Sequence, residues 1–207
     1  MKKITPGHRR CQTACFYLGL VLLFHSLSSM NCGGPAPPPN TSCNSTLTSF
    51  RQLYENILIT GGNTENSSMD LSTHEYDFKV SQSVTICKVG YQGHPALQSA
   101  GIPYKIEILD GSGTILYSGN HVFGSSTTDY QAISPVAVNA NQLYTIRRTI
   151  SNTGIPLGQT TGRIAQPISG PMTFPQMLGN LTIVSSNFYG RGGPVPNAGV
   201  PEIDIVY

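Results

Sequence analysis

The amino-acid sequence predicts an all-β protein of antiparallel strands, either a sandwich or a barrel. Three observations lead to this fold class: short runs in which apolar and polar residues alternate, turn residues between those runs, and a composition with only 11% charged residues, 22 Gly and 15 Pro. No convincing helix separates the runs, which disfavours parallel βαβ units. A length of 207 residues suits one domain with a sizeable core.

The first element after the N-terminal region combines two patterns. Phe50, Leu53, Tyr54 and Ile57 follow helical spacing, with Ser49 and Gln52 in the positions of a capping box. Residues 57–60 are equally typical of a strand. The sequence therefore predicts one or two helical turns that lead into a strand.

The strands follow in order along the chain. Tyr76, Phe78 and Val80 begin the alternation, which continues at Ile102, Tyr104, Ile106 and Ile108 and again at Tyr144, Ile146 and Ile150. Residues 110–113 predict a hairpin into residues 114–117, because Gly takes the positive φ of tight turns. Further strands are predicted at 83–92, 128–138, 181–189 and 202–207.

The N-terminal region is typical of export. Residues 1–31 combine four basic residues with an apolar run at 14–24 and small residues after it, as in a secretory signal peptide. That run is shorter than the roughly 20 residues needed to span a bilayer. Residues 32–45, rich in Pro, Asn and Ser, predict a semi-extended linker, which leaves 46–207 for the sandwich domain.

Cys32 is a candidate lipidation site. With Gly33, Gly34 and the Pro-rich tract after it, it resembles the first residue of a mature bacterial lipoprotein. The sequence thus predicts either a lipid-anchored protein of the bacterial cell envelope or, after cleavage at a small-residue site such as 26–28, a secreted one.

Three cysteines remain after removal of the signal peptide: Cys32, Cys43 and Cys87. If Cys32 is acylated, Cys43 and Cys87 can pair; otherwise Cys32 and Cys43 can close a short loop. Because Cys87 lies in a strand-like run beside Ile86 and Val89, we favour a buried free thiol there.

Charge and motifs exclude several functions. Removing Lys2, Lys3, Arg9 and Arg10 leaves eight basic and ten acidic residues, a net charge of −2, which disfavours nucleic-acid binding. The sequence has no H-E-x-x-H, C-x-x-C, G-x-S-x-G, Walker or dinucleotide motif. We therefore expect no enzymatic activity, no cofactor and no metal site.

Several polar residues are assigned to solvent. His74, Glu75 and Asp77 are interpreted as a solvated strand entry, and Glu202 and Asp204 as the solvent side of the last strand. His94 and His121 are interpreted as surface loop residues.

The candidate binding residues are mostly tyrosines. Tyr76, Tyr104 and Tyr144 occupy apolar strand positions and are assigned to the core. Tyr54 is not assigned to the core. The candidates for ligand contact are Tyr91, Tyr117, Tyr130, Tyr189 and Arg191. Arg147 and Arg148 face opposite sides of their strand, so their guanidinium groups cannot bind one carboxylate or sulfate together.

The order of the motifs carries a family resemblance. Residues 76–80, 84–91, 104–110, 135–136, 143–146 and 199–203 together resemble the PHR domain, from about residue 74 to the C-terminus. The layout is also similar to uncharacterised modules of exported bacterial polysaccharide-associated proteins. The resemblance implies an elongated, jelly-roll-like antiparallel β-sandwich, and PHR domains recognise protein partners.

The function expected from these features is recognition. The export signal, the spacer and the missing catalytic motifs predict a surface recognition or adhesion module that binds a glycan or a protein, with membrane contact only through a lipid anchor. One alternative is a structural or assembly subunit of the cell envelope, which would expose a large apolar patch. The other is a hydrolase built from Glu75, Asp77, Glu202 and Asp204.

Overall fold

The computed structural model describes residues 43–60, 62–67, 72–151, 154–155, 157, 162–190 and 193–207. The predicted signal peptide, Cys32 and Arg191 lie outside these residues. The described elements are, in chain order, α1 Ser49–Ile59, β1 Asn63–Asn66, β2 Thr73–Val80, β3 Val84–Tyr91, α2 Pro95–Ser99, β4 Tyr104–Asp110, β5 Ile115–His121, β6 Asp129–Val138, β7 Tyr144–Thr149, β8 Ile164–Pro167, β9 Gln176–Leu178, β10 Leu181–Gly190, β11 Gly193–Pro196, β12 Val200–Pro201 and β13 Asp204–Val206. Neither described helix is long and apolar enough to cross a membrane.

The strands form three antiparallel sheets. The large sheet has the order β11-β10-β2-β7-β4-β5, with β9 also paired to β10, and the small sheet has the order β13-β3-β6. A third sheet joins β1, β8 and β12. The prediction of an all-β, jelly-roll-like antiparallel sandwich is confirmed.

The core lies between the large and small sheets. Tyr76, Phe78 and Ile146 of the large sheet belong to one buried cluster with Ile86 and Val136 of the small sheet. Each fully buried large apolar side chain contributes about 2 kcal/mol to folding. Tyr76, Tyr104 and Tyr144 lie in this core, as their strand positions predicted.

The helix α1 is longer than the sequence predicted. It runs through Ile59, so the predicted strand at 57–60 is wrong. The predicted capping box at Ser49 and Gln52 is wrong by one residue, because the N-cap is Thr48, whose Oγ1 accepts from Arg51 N at 2.9 Å. Phe50, Leu53, Tyr54 and Ile57 are all fully buried on one helical face. Their burial outweighs the strand preference of the β-branched residues in 57–60.

A disulfide joins Cys43 to Cys87. The register of β3 against β6 shifts between Ile86 and Lys88, and buried positions change from Val84 and Ile86 to Val89 and Tyr91. A bulge of this kind turns one side chain away from the alternating pattern. The prediction of a buried free thiol at Cys87 is therefore wrong.

The predicted hairpin at 110–113 is confirmed. Gly113 has a φ of 85°, and Asp110 Oδ1 accepts from the backbone N of Ser112 and of Thr114 at 2.9 Å each. β4 and β5 pair in antiparallel register on either side of this turn. The turn therefore sets which residues of the two strands lie side by side.

Candidate functional site

The outer side of the large sheet carries an aligned set of polar side chains. Glu75 of β2 lies opposite Arg147 of β7, which in turn lies opposite Glu107 of β4. In the adjacent row, Tyr189 of β10, Thr73, Thr149 and Lys105 lie side by side. We call these seven residues, Thr73, Glu75, Lys105, Glu107, Arg147, Thr149 and Tyr189, the polar sheet face.

Hydrogen bonds and ion pairs hold the polar sheet face in place. Arg147 Nε donates to Glu75 Oε2 at 2.6 Å, and Tyr189 donates from its hydroxyl to Glu75 Oε1 at 2.8 Å. Lys105 Nζ lies 2.6 Å from Glu107 Oε1. Burial alone would lower the pKa of Arg147, but the hydrogen bond and charge of Glu75 raise it, so the guanidinium stays charged.

All residues of the polar sheet face except Glu75 line a shallow depression of about 530 Å³. Glu75 and Glu107 are each only 5% exposed, whereas the side chains of Arg147 and Lys105 are 33% and 46% exposed. Glu107 therefore lies at the base of the depression, Glu75 is covered by its neighbours, and the cationic donors reach solvent. Such a surface presents several oriented hydrogen-bond donors and acceptors to a ligand.

A second cleft, of about 410 Å³, lies beside Arg163. Arg163 donates to Glu65 and, at 2.9 Å, to Gln92 Oε1, and its Nε lies 3.2 Å from Glu202 Oε2. The guanidinium thus connects three parts of the protein. We interpret these contacts as structural.

The structure separates the predicted tyrosines. Tyr189 lies on the polar sheet face and is half-buried. Tyr117 is half-buried, with its hydroxyl 2.7 Å from His121 Nε2, and Tyr130 donates to Asp204 Oδ2 at 2.7 Å. Tyr91 is 1% exposed and packs against Tyr104 and Phe123, so its prediction as a surface residue is wrong.

The corrections to Tyr91 and Tyr54 share a cause. The bulge in β3 moves Tyr91 to the core side of the sheet, and the extended helix α1 carries Tyr54 into the core, where it is fully buried. Both shifts depend on tertiary structure rather than on the local alternation.

The predicted solvated entry of β2 is only partly right. Glu75 and Asp77 do share a face opposite Tyr76 and Phe78, but His74 is fully buried and Glu75 nearly so. β2 is an interior strand between β10 and β7, and its neighbours cover these side chains. Burial and the charge of Arg148, which hydrogen-bonds to His74 Nδ1, hold the pKa of His74 well below its usual range.

The assignment of Glu202 and Asp204 to solvent is wrong. They are 1% and 0% exposed, because α1 covers the C-terminal segment. Thr48 Oγ1 lies 2.8 Å from both oxygens of Asp204, and Arg51 donates to Glu202 Oε1. We call Thr48, Arg51, Tyr130, Glu202 and Asp204 the helix junction.

Burial raises the pKa of Asp204 to about 6, although hydrogen bonds from Tyr130 and Thr48 oppose the rise. A carboxyl group that exchanges its proton near pH 6 therefore sits between α1 and the small sheet. The helix junction is a buried structural network, and Tyr130 belongs to it rather than to an open binding surface.

The two histidines assigned to surface loops occupy different positions. His121 ends β5, is 7% exposed and has its Nδ1 2.9 Å from Gln131 Oε1. The prediction that it is a surface loop residue is therefore wrong. His94 is half-buried and caps α2 by accepting from Ala96 N at 3.1 Å. Within the described residues, no group of three or more His, Cys, Asp or Glu side chains is placed to hold a metal ion.

Four residues of the polar sheet face were not among the predicted ligand contacts: Lys105, Glu107, Thr73 and Thr149. Their signal was present, because each occupies the polar position of a strand whose apolar positions are buried. What was missing was the register that aligns β2, β7 and β4, since these strands are far apart in the chain.

No family model and no curated protein matches this chain. Among solved structures, the chain is similar to a family 35 carbohydrate-binding module from an environmental isolate, at 12% sequence identity and a TM-score of 0.27, over 68% of this chain and 82% of that one. The resemblance to the PHR domain stays a prediction.

Proposed function

We propose that this chain is an exported recognition module that binds a glycan on the polar sheet face. The observation that supports it is the row Glu75–Arg147–Glu107, fixed by cross-strand register and open to solvent through Arg147 and Lys105. Glycan hydroxyl groups both donate and accept hydrogen bonds, so they match a surface of paired carboxylates and cations.

A glycan fits this face better than a protein does. Protein interfaces are built around an apolar, aromatic centre. The exposed large apolar residues of the described chain are Leu47, Ile59, Ile115, Leu116, Val122, Ile168, Met177 and Val195. None of them lies in the two rows, which continue on β5 with Ser118 and Asn120.

Export is supported by the disulfide between Cys43 and Cys87, since such bonds persist in oxidising compartments. We further propose lipidation at Cys32. Intact-mass analysis should find an acylated N-terminal Cys32, and Cys32→Ser should release the protein from membranes. A mature N-terminus at any other residue overturns the lipid anchor and leaves a secreted module.

A non-catalytic role is also part of the proposal. Of the carboxylates considered for hydrolysis, Glu202 and Asp204 are buried in the helix junction, at 1% and 0% exposure, whereas Glu75 and Asp77 are held by Arg147 and Thr145 of β7. A pair of carboxylates that act on one bond must converge on it. Incubation of the protein with the glycans that it binds should leave their chain lengths unchanged.

The binding site is tested with matched variants of the full chain. On a glycan array and by titration calorimetry, Arg147→Gln should weaken binding about tenfold, since it removes charge-assisted donors. Arg163→Gln is the control, because both side chains are 33% exposed and both pair with a glutamate. Absence of any glycan binding overturns the function, and equal losses in the two variants overturn the site.

A further inference from the structure

We propose that the glycan bound by the polar sheet face is uncharged and that its chain crosses the strands. This inference rests on the proposed function and specifies the ligand of the same site. The charge balance of the face, the donors that remain open and the shape of the depression support it.

The charges on the outer side of the large sheet cancel. Among the described residues, the rows of the polar sheet face contain Glu75, Glu107, Lys105 and Arg147, and the outward positions of β2 add Asp77 and Lys79. An acidic sugar on this face would lie against the carboxylates of Glu75 and Glu107, which costs binding free energy.

An uncharged glycan avoids this repulsion. Within the described residues, Arg147 donates a hydrogen bond only through Nε, and its Nη1 is 3.9 Å from Glu107 Oε2, beyond hydrogen-bond distance. The Nη groups are therefore available to accepting hydroxyls. Glu107, which lines the depression, keeps lone pairs for a donating hydroxyl while its ion pair with Lys105 stays intact.

The shape of the depression gives the direction of the chain. Its lining residues come from four adjacent strands, β10, β2, β7 and β4, so it spans three strand spacings, about 14 Å. Along any one strand it includes at most two outward residues, such as Lys105 and Glu107, about 7 Å. The long axis therefore crosses the strands.

One strand spacing is about the length of one pyranose unit. A chain of three or four sugars would therefore cover the depression from Tyr189 at the β10 side to Lys105 at the β4 side. The hydroxyl of Tyr189 is held by Glu75, which fixes the ring at the first of these positions. Affinity should rise with each sugar up to that length and then level off.

The experiment is calorimetry on the purified full chain with unsubstituted gluco-, manno- and xylo-oligosaccharides of increasing length, and with uronate-containing and sulfated oligosaccharides of the same lengths. We expect an uncharged series to bind best, with affinity about tenfold higher for the tetrasaccharide than for the disaccharide. High salt should change that affinity less than about twofold, because no net charge is neutralised.

Several outcomes would overturn the inference while the proposed function stands: tighter binding of the charged oligosaccharides, strong salt dependence, or no gain beyond one sugar. Failure of every oligosaccharide to bind would instead remove the proposed function. The two failures are thus distinguishable.

A variant pair sharpens the charge argument. Glu107→Gln keeps the shape but frees Lys105, so it should raise the affinity for uronate-containing oligosaccharides about tenfold. Lys105→Gln should not, and Lys88→Gln, on the small sheet, is the control for loss of a lysine. Thermal unfolding verifies that each variant is folded. Equal uronate affinity in wild type and Glu107→Gln contradicts the inference.

Discussion

The polar sheet face and the helix junction are built from the same kinds of side chain but differ in what covers them. At the face, Arg147 is 33% exposed and pairs with Glu75 on an open sheet. At the junction, Arg51 is 18% exposed, and α1 covers Glu202 and Asp204. In the proposed function, the same chemistry serves glycan binding where the sheet is open and serves stability where a helix closes over it.

The largest expected effect concerns the disulfide that attaches Cys43, before α1, to Cys87 of β3. The double variant Cys43→Ser, Cys87→Ser should lower the free energy of unfolding by about 4 kcal/mol, because the disulfide closes a loop across a separation of 44 residues. Urea denaturation measures this loss, and glycan affinity should be unchanged. A loss of glycan affinity with unchanged stability would contradict this prediction.

The next effect compares glutamates in the two regions. Glu202→Ala should lower the free energy of unfolding by about 3 kcal/mol, because it removes the buried carboxylate that pairs with both Arg51 and Arg163. Glu107→Ala should cost less than about 1 kcal/mol, because its partner Lys105 is well exposed. Equal losses of unfolding free energy in the two variants would contradict the prediction that cover by α1 makes the loss of a glutamate more costly.

Asp204 should make the stability of the junction depend on pH. Its folded pKa of about 6 lies above the unfolded value of about 3.9, so the folded state favours the protonated form. This contribution, about 3 kcal/mol, is fully present below about pH 4 and is lost as the pH rises through about 6.

The test is the difference in unfolding free energy between wild type and Asp204→Asn across this pH range. Wild type should lose stability relative to the variant as the pH rises. The difference is needed because His74, buried with a lowered pKa, acts in the opposite direction and removes stability as the pH falls. A difference that stays constant with pH contradicts the assignment to Asp204.

The smallest effects come from one substitution made in both regions. Tyr130→Phe removes a donor to buried Asp204 and should cost about 1.5 kcal/mol of stability without changing binding. Tyr189→Phe removes a donor to Glu75 at the solvent boundary and should cost about 0.5 kcal/mol or less while weakening glycan binding severalfold. Thermal unfolding and calorimetry on both variants decide whether the regions differ in role.

The sequence predicted what depends on local alternation. Tyr76 and Phe78, or Ile106 and Ile108, bury one side of a strand and leave the other polar, and this pattern is visible in a few adjacent residues. The fold class and the hairpin at 110–113 followed from such patterns. Tyr189 was selected because it lies outside the apolar positions.

What the sequence did not reveal depends on contacts between distant segments. The cover of α1 over Asp204 and the bulge at Cys87 change burial without changing the local pattern. The alignment of Glu75, Arg147 and Glu107 requires the register of three strands that are distant in the chain. The candidate site is therefore a property of the assembled sheet.

The Cys43–Cys87 disulfide also determines how a pulling force enters the domain. A force applied through the chain before residue 43 reaches β3 through the disulfide, in parallel with the backbone path through α1. β3 is the central strand of the small sheet, hydrogen-bonded to β13 on one side and β6 on the other. Extraction of β3 must break two ladders at once, so a pull on the N-terminal side is resisted by the sheet rather than by a single docked helix.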